Sequence, residues 1–209
     1  MTKRALDVLG AGIGLLLLWP VFAVVAVLIK LDDGGPVYFL QTRIGRGGRP
    51  FRMLKFRTMT VDAEQRGGSL TIGEDPRITR LGRILRACKL DELPQLVNVL
   101  VGQMSLVGPR PELPKYVAFY DASQRRVLDL RPGITDPASI VYRHESTLLG
   151  GSSDPEALYM HTILPDKIRI NLEYAGRATI FSDLAVIVRT ITVLFSLQPD
   201  FKGDTRHGV

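Results

Sequence analysis

The sequence predicts a helix-rich α+β protein associated with a membrane, and three observations carry that prediction. Between Ala5 and Ile29 the only charged residue is Asp7. Two runs of strand-favouring residues flank the turn Gly45-Arg46-Gly47-Gly48. Beyond residue 77, apolar residues recur at helical rather than alternating spacing. The 209 residues allow one domain with an appendage and a sizeable core. Apolar residues make up 45% of the chain, and the mean hydropathy of +0.12 is oily for a soluble protein. A net charge of +6 points to an anionic partner, whether nucleic acid, anionic lipid or a phosphorylated substrate, without choosing among them. One cysteine, Cys88, excludes an internal disulfide framework and a cysteine-based zinc cluster. The histidines, His144, His161 and His207, have no metal-ligand spacing.

The N-terminal stretch is long enough to cross a bilayer, with Lys3 and Arg4 on one flank and Lys30 on the other. A straight span would put those cations on opposite sides of the membrane, against the tendency of positive flanks to stay cytoplasmic. A re-entrant helix broken at Trp19-Pro20 keeps all three on one side, because proline removes a backbone donor and crowds the preceding turn. The re-entrant form is the expectation; the spanning form stays open. Asp7 is expected near the interface, paired with Lys3, Arg4 or a later arginine.

Val37 to Gln41 and Pro50 to Phe56 read as a β-hairpin. It belongs to the most basic part of the chain. Arg43, Arg46 and Arg49 suit an anionic membrane surface, whereas Lys55 and Arg57, two apart on one strand face and enclosed by Phe56 and Met59, could hold a diphosphate. A short helix is expected from Thr60 to Gln65. Ile78, Leu81, Ile84 and Leu85 then give an amphipathic helix, with Arg77, Arg80, Arg83 and Arg86 as a basic stripe ending beside Asp91.

Leu93, Leu96, Val97, Leu100 and Val101 recur as one buried helical face, with Pro94 in the first turn and Gly102 as the stop. Asp91 and Glu92 stand at its start. Acidic residues there are often caps worth about 1 kcal/mol. The surrounding cations, Arg86 before and Arg110 between Pro109 and Pro111, leave a second reading open: a carboxylate nucleophile with lowered pKa beside a phosphate site. In the last third, Leu113 to Leu128 reads as a helix, Ile140 to Arg143 as a short strand, and Pro165 to Tyr174 as a helix. Ser182-Asp183 is expected to cap a final helix from Leu184 to Leu197, apolar all round and therefore buried or membrane-lying, with core packing the expectation. That helix is the one candidate for a homodimer surface. The expected boundaries are 1–35 for the membrane helix, 36–198 for the domain and 199–209 for a tail.

Lys55-Phe56-Arg57-Thr58-Met59, Asp75-Pro76-Arg77-Ile78-Thr79, Leu90-Asp91-Glu92-Leu93-Pro94-Gln95, Met104 to Pro111 and Arg131-Pro132-Gly133-Ile134-Thr135 follow in this order. Together they resemble the bacterial sugar transferases that act as monotopic polyprenyl-phosphate phosphoglycosyl transferases. The resemblance implies that a UDP-sugar gives its sugar-1-phosphate to undecaprenyl phosphate, releasing UMP. It also implies Asp91 as nucleophile through a covalent phosphosugar intermediate, Mg²⁺ held by Glu92 with Asp91, and Arg86, Arg110 and Arg131 as phosphate or nucleotide contacts. The location it implies is the cytoplasmic face of the bacterial inner membrane, among membrane lipids, with no nucleic acid. Trp19-Pro20, Lys89, Gln103 and Asp136 depart from the family's usual Ser-Pro, Ser, Asp and Gly. The alternatives are a degenerate relative that scaffolds other enzymes, or a membrane-bound protein holding an anionic ligand.

Overall fold

The computed structural model describes residues 2–67, 70–73 and 75–195. In chain order, helix α1 (Thr2–Asp33) leads into a hairpin of β1 (Tyr38–Ile44) and β2 (Pro50–Phe56), followed by α2 (Ala63–Arg66) and α3 (Arg80–Ala87). A 3₁₀ turn at Leu90–Glu92 precedes α4 (Gln95–Leu100) and β3 (Ser105–Val107). After α5 (Pro114–Val117) and a second 3₁₀ turn, β4 (Gly133–Thr135) pairs in parallel with β3. The chain ends in α6 (Pro137–Val141), α7 (Glu145–Gly150), α8 (Pro155–Leu158), α9 (Leu164–Ala175) and α10 (Ile180–Phe195). The α+β class and the hairpin agree with the sequence reading. The expected tail, 199–209, lies outside the described residues.

The expected break at Trp19-Pro20 is absent: α1 is one helix through Pro20. The ring costs one backbone hydrogen bond and crowds the turn before it, a penalty of about 3 kcal/mol. Packing on both flanks offsets it. Ala11, Leu15 and Leu18 join a cluster with Leu96, Val99 and Met104, and Val21, Phe22, Val25 and Ile29 join another with Phe56 and Leu85. Both ends are tied to the same body. Near the start, Lys3 pairs with Asp183 of α10, and Arg4 donates to the carbonyls of Val99 and Leu100 at 2.7 and 2.9 Å. Asp7, 1% exposed, accepts from Ser105 Oγ and the Leu106 N–H at 2.9 Å, so it is paired with β3 and not with Lys3, Arg4 or a later arginine as expected. At the far end Asp33 takes a bidentate ion pair from Arg57. The outward face, with Leu9, Leu16, Leu17, Trp19, Val27 and Leu31, is exposed. Among the described residues, α1 is the one helix long and apolar enough to cross a membrane.

Other expectations change for local reasons. The segment 113–128 is not one helix, because the Asp121 carboxylate accepts the N–H groups of Ser123 and Gln124 and stops α5. Residues 140 and 141 lie in α6 and 142 and 143 in the turn after it, none of them in a strand, since Asp136 accepts from Ser139 N at 2.9 Å and Pro137 opens α6. The final helix starts at Ile180 instead of Leu184, with Thr179 and Ser182 bonded reciprocally at its start. It is not buried all round: Phe181, Leu184, Val188 and Ile191 are exposed. In α4 the buried face is Gln95, Leu96, Asn98 and Val99, while Val97, Leu100 and Val101 are exposed. Asn98 sets that rotation: its Oδ1 accepts from Leu54 N at 3.0 Å and its Nδ2 donates to the Arg52 carbonyl at 2.9 Å.

The β3–β4 pairing brings two glycines into backbone contact. A Cβ at Gly133 would meet Gly108 N at 2.1 Å, and one at Gly108 would meet the Arg131 carbonyl oxygen at 2.3 Å. Because Arg110 follows Gly108 by two residues, this approach positions it. Gly133→Ala is expected to destabilise by about 1–3 kcal/mol, as overpacking against backbone does. Gly12→Ala in α1, where nothing lies within 4 Å, should cost nothing; thermal unfolding of both variants in detergent checks the contrast.

Candidate active site

Three segments converge on the 3₁₀ turn at Leu90–Glu92. The turn exists because α3 ends at Ala87 and Lys89 takes the left-handed conformation, φ 55°, the only positive φ at a non-glycine among the described residues. That reversal sends Asp91 and Glu92 inward, 6% and 7% exposed. The neighbouring carboxylates then fare differently. Arg110 donates to Glu92 through both terminal nitrogens, at 2.6 and 3.1 Å, and Lys55 Nζ donates to the same group at 3.1 Å. Asp91 Oδ1 is buried with no hydrogen-bond partner among the described residues, and Asp91 is not a side-chain helix cap.

The electrostatics follow from these contacts. Burial, then repulsion from Glu92, push the Asp91 carboxyl above the usual aspartate range, opposite to the lowering expected at a helix start. Burial would raise Glu92 as well, but the charges of Arg110 and Lys55 outweigh it and hold Glu92 well below the glutamate range. Burial pulls Lys55 down to about 8 against the attraction of Glu92. Glu92 is therefore the fixed anion, and Asp91 is the underused one.

Arg86 donates to Thr58 Oγ1 at 2.8 Å and Thr71 Oγ1 at 3.2 Å. Among the described residues it has no ion-pair partner, although it senses the charge of Asp91. Asp91, Glu92, Lys55, Arg86 and Arg110 all line one open cavity of about 2140 Å³. That is roughly twice the upper end for a single small-ligand pocket. Arg57 touches the cavity too but is committed to Asp33 and the Pro36 carbonyl, so it ties α1 to the hairpin. The strand ends at Phe56, and although Lys55 and Arg57 both line the cavity they take different partners, Glu92 and Asp33. Arg131 lies outside the cavity lining, and its carbonyl is what packs against Gly108. The basic stripe is also shorter than expected, since Arg77 precedes α3 and pairs with Asp75. Trp19 and Pro20 are remote from the carboxylates in sequence and sit on the outward side of α1.

For Mg²⁺, the donor set is small. Among the described residues no group of three or more acidic, histidine or cysteine side chains could hold a metal. Two carboxylates suffice for magnesium when substrate phosphates and water complete its shell, and the partnerless Asp91 Oδ1 fits a hard cation.

Known proteins share this chain's pattern. The family model described as bacterial sugar transferase matches residues 1–197. The chain belongs to that family. It is 37% identical to the UDP-N-acetylgalactosamine-undecaprenyl-phosphate N-acetylgalactosaminephosphotransferase of Aeromonas hydrophila over 93% of its own length and 44% of the relative's. It is 37% identical to the UDP-glucose:undecaprenyl-phosphate glucose-1-phosphate transferase of Caulobacter vibrioides over 94% of its own length and 70% of the relative's. An exopolysaccharide production protein of Rhizobium meliloti is 34% identical over 91% of this chain and 84% of the relative. Thus the chain spans less than half of the Aeromonas relative, and the matched region includes Asp91, Glu92 and all the cations named above.

The two carboxylates of this sugar transferase family member should separate in stability measurements. Glu92→Gln leaves buried Arg110 and Lys55 without their anion and is expected to cost about 3–5 kcal/mol. Asp91→Asn breaks no hydrogen bond of Oδ1 and should change stability by less than about 1 kcal/mol. Denaturant unfolding in detergent reads both.

Proposed function

We propose that the protein transfers sugar-1-phosphate from a UDP-sugar to undecaprenyl phosphate at the cytoplasmic face of a bacterial membrane, with Asp91 as the nucleophile. The observation that carries this reading is the buried, partnerless Asp91 Oδ1 beside a glutamate held by two cations, in the wall of a cavity that also presents Arg86. The names of the relatives support the donor and acceptor classes.

In the first step an Asp91 carboxylate oxygen attacks the sugar-bearing phosphorus. An acyl phosphate bond forms, the bond from that phosphorus to the bridging oxygen breaks, and UMP leaves with the oxygen and its electron pair. In the second step a phosphate oxygen of the lipid attacks the same phosphorus, releases the Asp91 carboxylate and gives the lipid-diphospho-sugar. Splitting the transfer this way lets a water-soluble donor and a lipid acceptor react in turn. Arg86, which makes no ion pair among the described residues, offers a guanidinium to phosphate oxygens, while Arg110, its fork held by Glu92, and Lys55 add positive charge beside them. Glu92 keeps Arg110 and Lys55 in place. Mg²⁺ is the proposed cofactor: Asp91 Oδ1 would hold it, with Glu92 Oε2, which already accepts one hydrogen bond from Arg110, as the second oxygen, and it would neutralise diphosphate charge. The outward apolar face of α1 suits membrane lipid, with both helix ends on the side of the domain.

The decisive assay is UMP release from a panel of UDP-sugars with undecaprenyl phosphate and Mg²⁺ present and each omitted in turn. Release that depends on both supports the reading, and silence across the panel overturns it. Without acceptor, a donor labelled in the sugar-bearing phosphate should leave covalent label on the wild type and none on Asp91→Asn, whose turnover should fall at least about 10³-fold; retained turnover in that variant sinks the mechanism.

The pH profile has two expected limbs. Asp91 must be ionised to attack, so its raised pKa places the acid limb of kcat/KM above the ordinary aspartate value of about 3.9. Lys55 loses its charge as pH rises through about 8, which gives the basic limb. Lys55→Arg, charged throughout, should move the basic limb upward and leave the acid limb in place.

A further inference from the structure

The cavity has two unlike ends. Toward α1 and α10 its walls are aliphatic, with Leu6, Leu18, Leu106 and Ile187 among the lining. Toward α7 and α9 it is polar, and there it includes Glu145, Ser146, Tyr159 and Lys167. Lys167 is 8% exposed, and its Nζ donates to Glu145 Oε2 at 2.7 Å. An ammonium has three N–H donors, yet among the described residues this is the one hydrogen bond it makes. A buried charged group with unmet donors is costly unless a ligand or water completes it.

We infer that the Lys167–Glu145 pair reads the sugar hydroxyls of the donor, which makes it a specificity element of the transfer proposed above, on which this inference rests. The charge pattern selects the occupant. An ammonium and a carboxylate side by side carry no net charge, which suits an uncharged polyol rather than a diphosphate. Arg86, lacking an ion-pair partner among the described residues, is the group suited to the anion. The pair can donate to one hydroxyl oxygen and accept from the next, and that alternation matches adjacent hydroxyls on a pyranose ring. A site built to hydrogen-bond a hydroxyl discriminates strongly against a donor that misplaces it.

The pair is also held in register with the phosphate end. Lys167 Nζ stands 5.6 Å from the centre of the Tyr159 ring. Tyr159 OH donates to Glu112 Oε1 at 2.6 Å, and Glu112 follows Arg110 by two residues and faces Arg43 at 3.7 Å. Tyr159 thus ties the Lys167 end of the cavity to the segment that carries Arg110. Glu145 comes from α7, and the connection from there to α9 runs through the turn at Gly151–Asp154 and the π-helical turn at Tyr159–Ile163, an irregular wall rather than a repetitive one.

The test compares UDP-sugars with UMP, which lacks the sugar. The double substitution Glu145→Leu with Lys167→Met removes both charges together, avoiding the stranded charge that a single change leaves, and Glu145→Gln serves as the milder variant. In both, KM for the preferred UDP-sugar should rise by about 10- to 100-fold, the scale of one charge-assisted hydrogen bond, while the inhibition constant of UMP stays within about twofold. The kcat/KM ratio between the preferred donor and its C4 epimer should collapse toward one. Unchanged donor selectivity, or a parallel loss of UMP and UDP-sugar affinity with a lowered unfolding temperature, overturns the inference in favour of a purely structural cross-link. A wild type that binds UMP and turns over donor, with variants of unchanged selectivity, refutes this inference alone. A wild type that does neither refutes the transferase reading and this inference with it.

Discussion

The ion cluster of Glu92 with Arg110 and Lys55 is the constraint on which the rest of the structure depends. It joins the end of the hairpin, the 3₁₀ turn and the proline-flanked segment after β3, three pieces far apart in sequence. Burying three charges is expensive, and only close geometry makes the mutual attraction comparable to the lost hydration. Here the fork of Arg110 takes both oxygens of one carboxylate, and the parallel β3–β4 contact through Gly108 and Gly133 fixes where that fork stands. The same cluster separates two adjacent acids that would otherwise be alike. One is hydrogen-bonded and held ionised, while the other lies buried with an oxygen that has no hydrogen-bond partner among the described residues.

The helices around this centre supply position rather than reactivity. Arg4 closes the C-terminal end of α4, Asp7 holds the start of β3, and Asp33 holds Arg57 just past β2. Each is a polar contact at the end of an element whose other end meets the carboxylates. A change in how α1 seats would therefore reach Asp91 through packed, hydrogen-bonded elements.

Much of this was legible in the sequence where local rules govern. The hairpin follows from its glycine turn, α9 from Pro165, and the meeting of Asp91, Glu92, Arg86 and Arg110 in one cavity from their density around one turn. Where tertiary contacts decide, the reading failed. Pro20 breaks helices in isolation, but two apolar clusters hold α1 on either side of it. The face of α4 is set by Asn98 binding the hairpin, which no periodicity of Leu and Val reveals. Arg57 looked like a phosphate ligand because Asp33 is 24 residues away. Lys167 did leave a signal: Leu164, Lys167, Ile168 and Asn171 share the buried stripe of α9, and two polar side chains at core positions of an amphipathic helix mark a wall with work to do.

The seating of α1 bears on modularity. A membrane anchor is commonly pictured as a detachable handle, exchangeable for another or removable to give a soluble enzyme. Here Ala11, Val25 and Ile29 are core residues, clustered with Leu96 and Met104 on one flank and with Phe56 and Leu85 on the other. Helix α1 and the body it packs on form one unit, so a graft that preserved only the hydropathy of α1 would lose the register on which the interior relies.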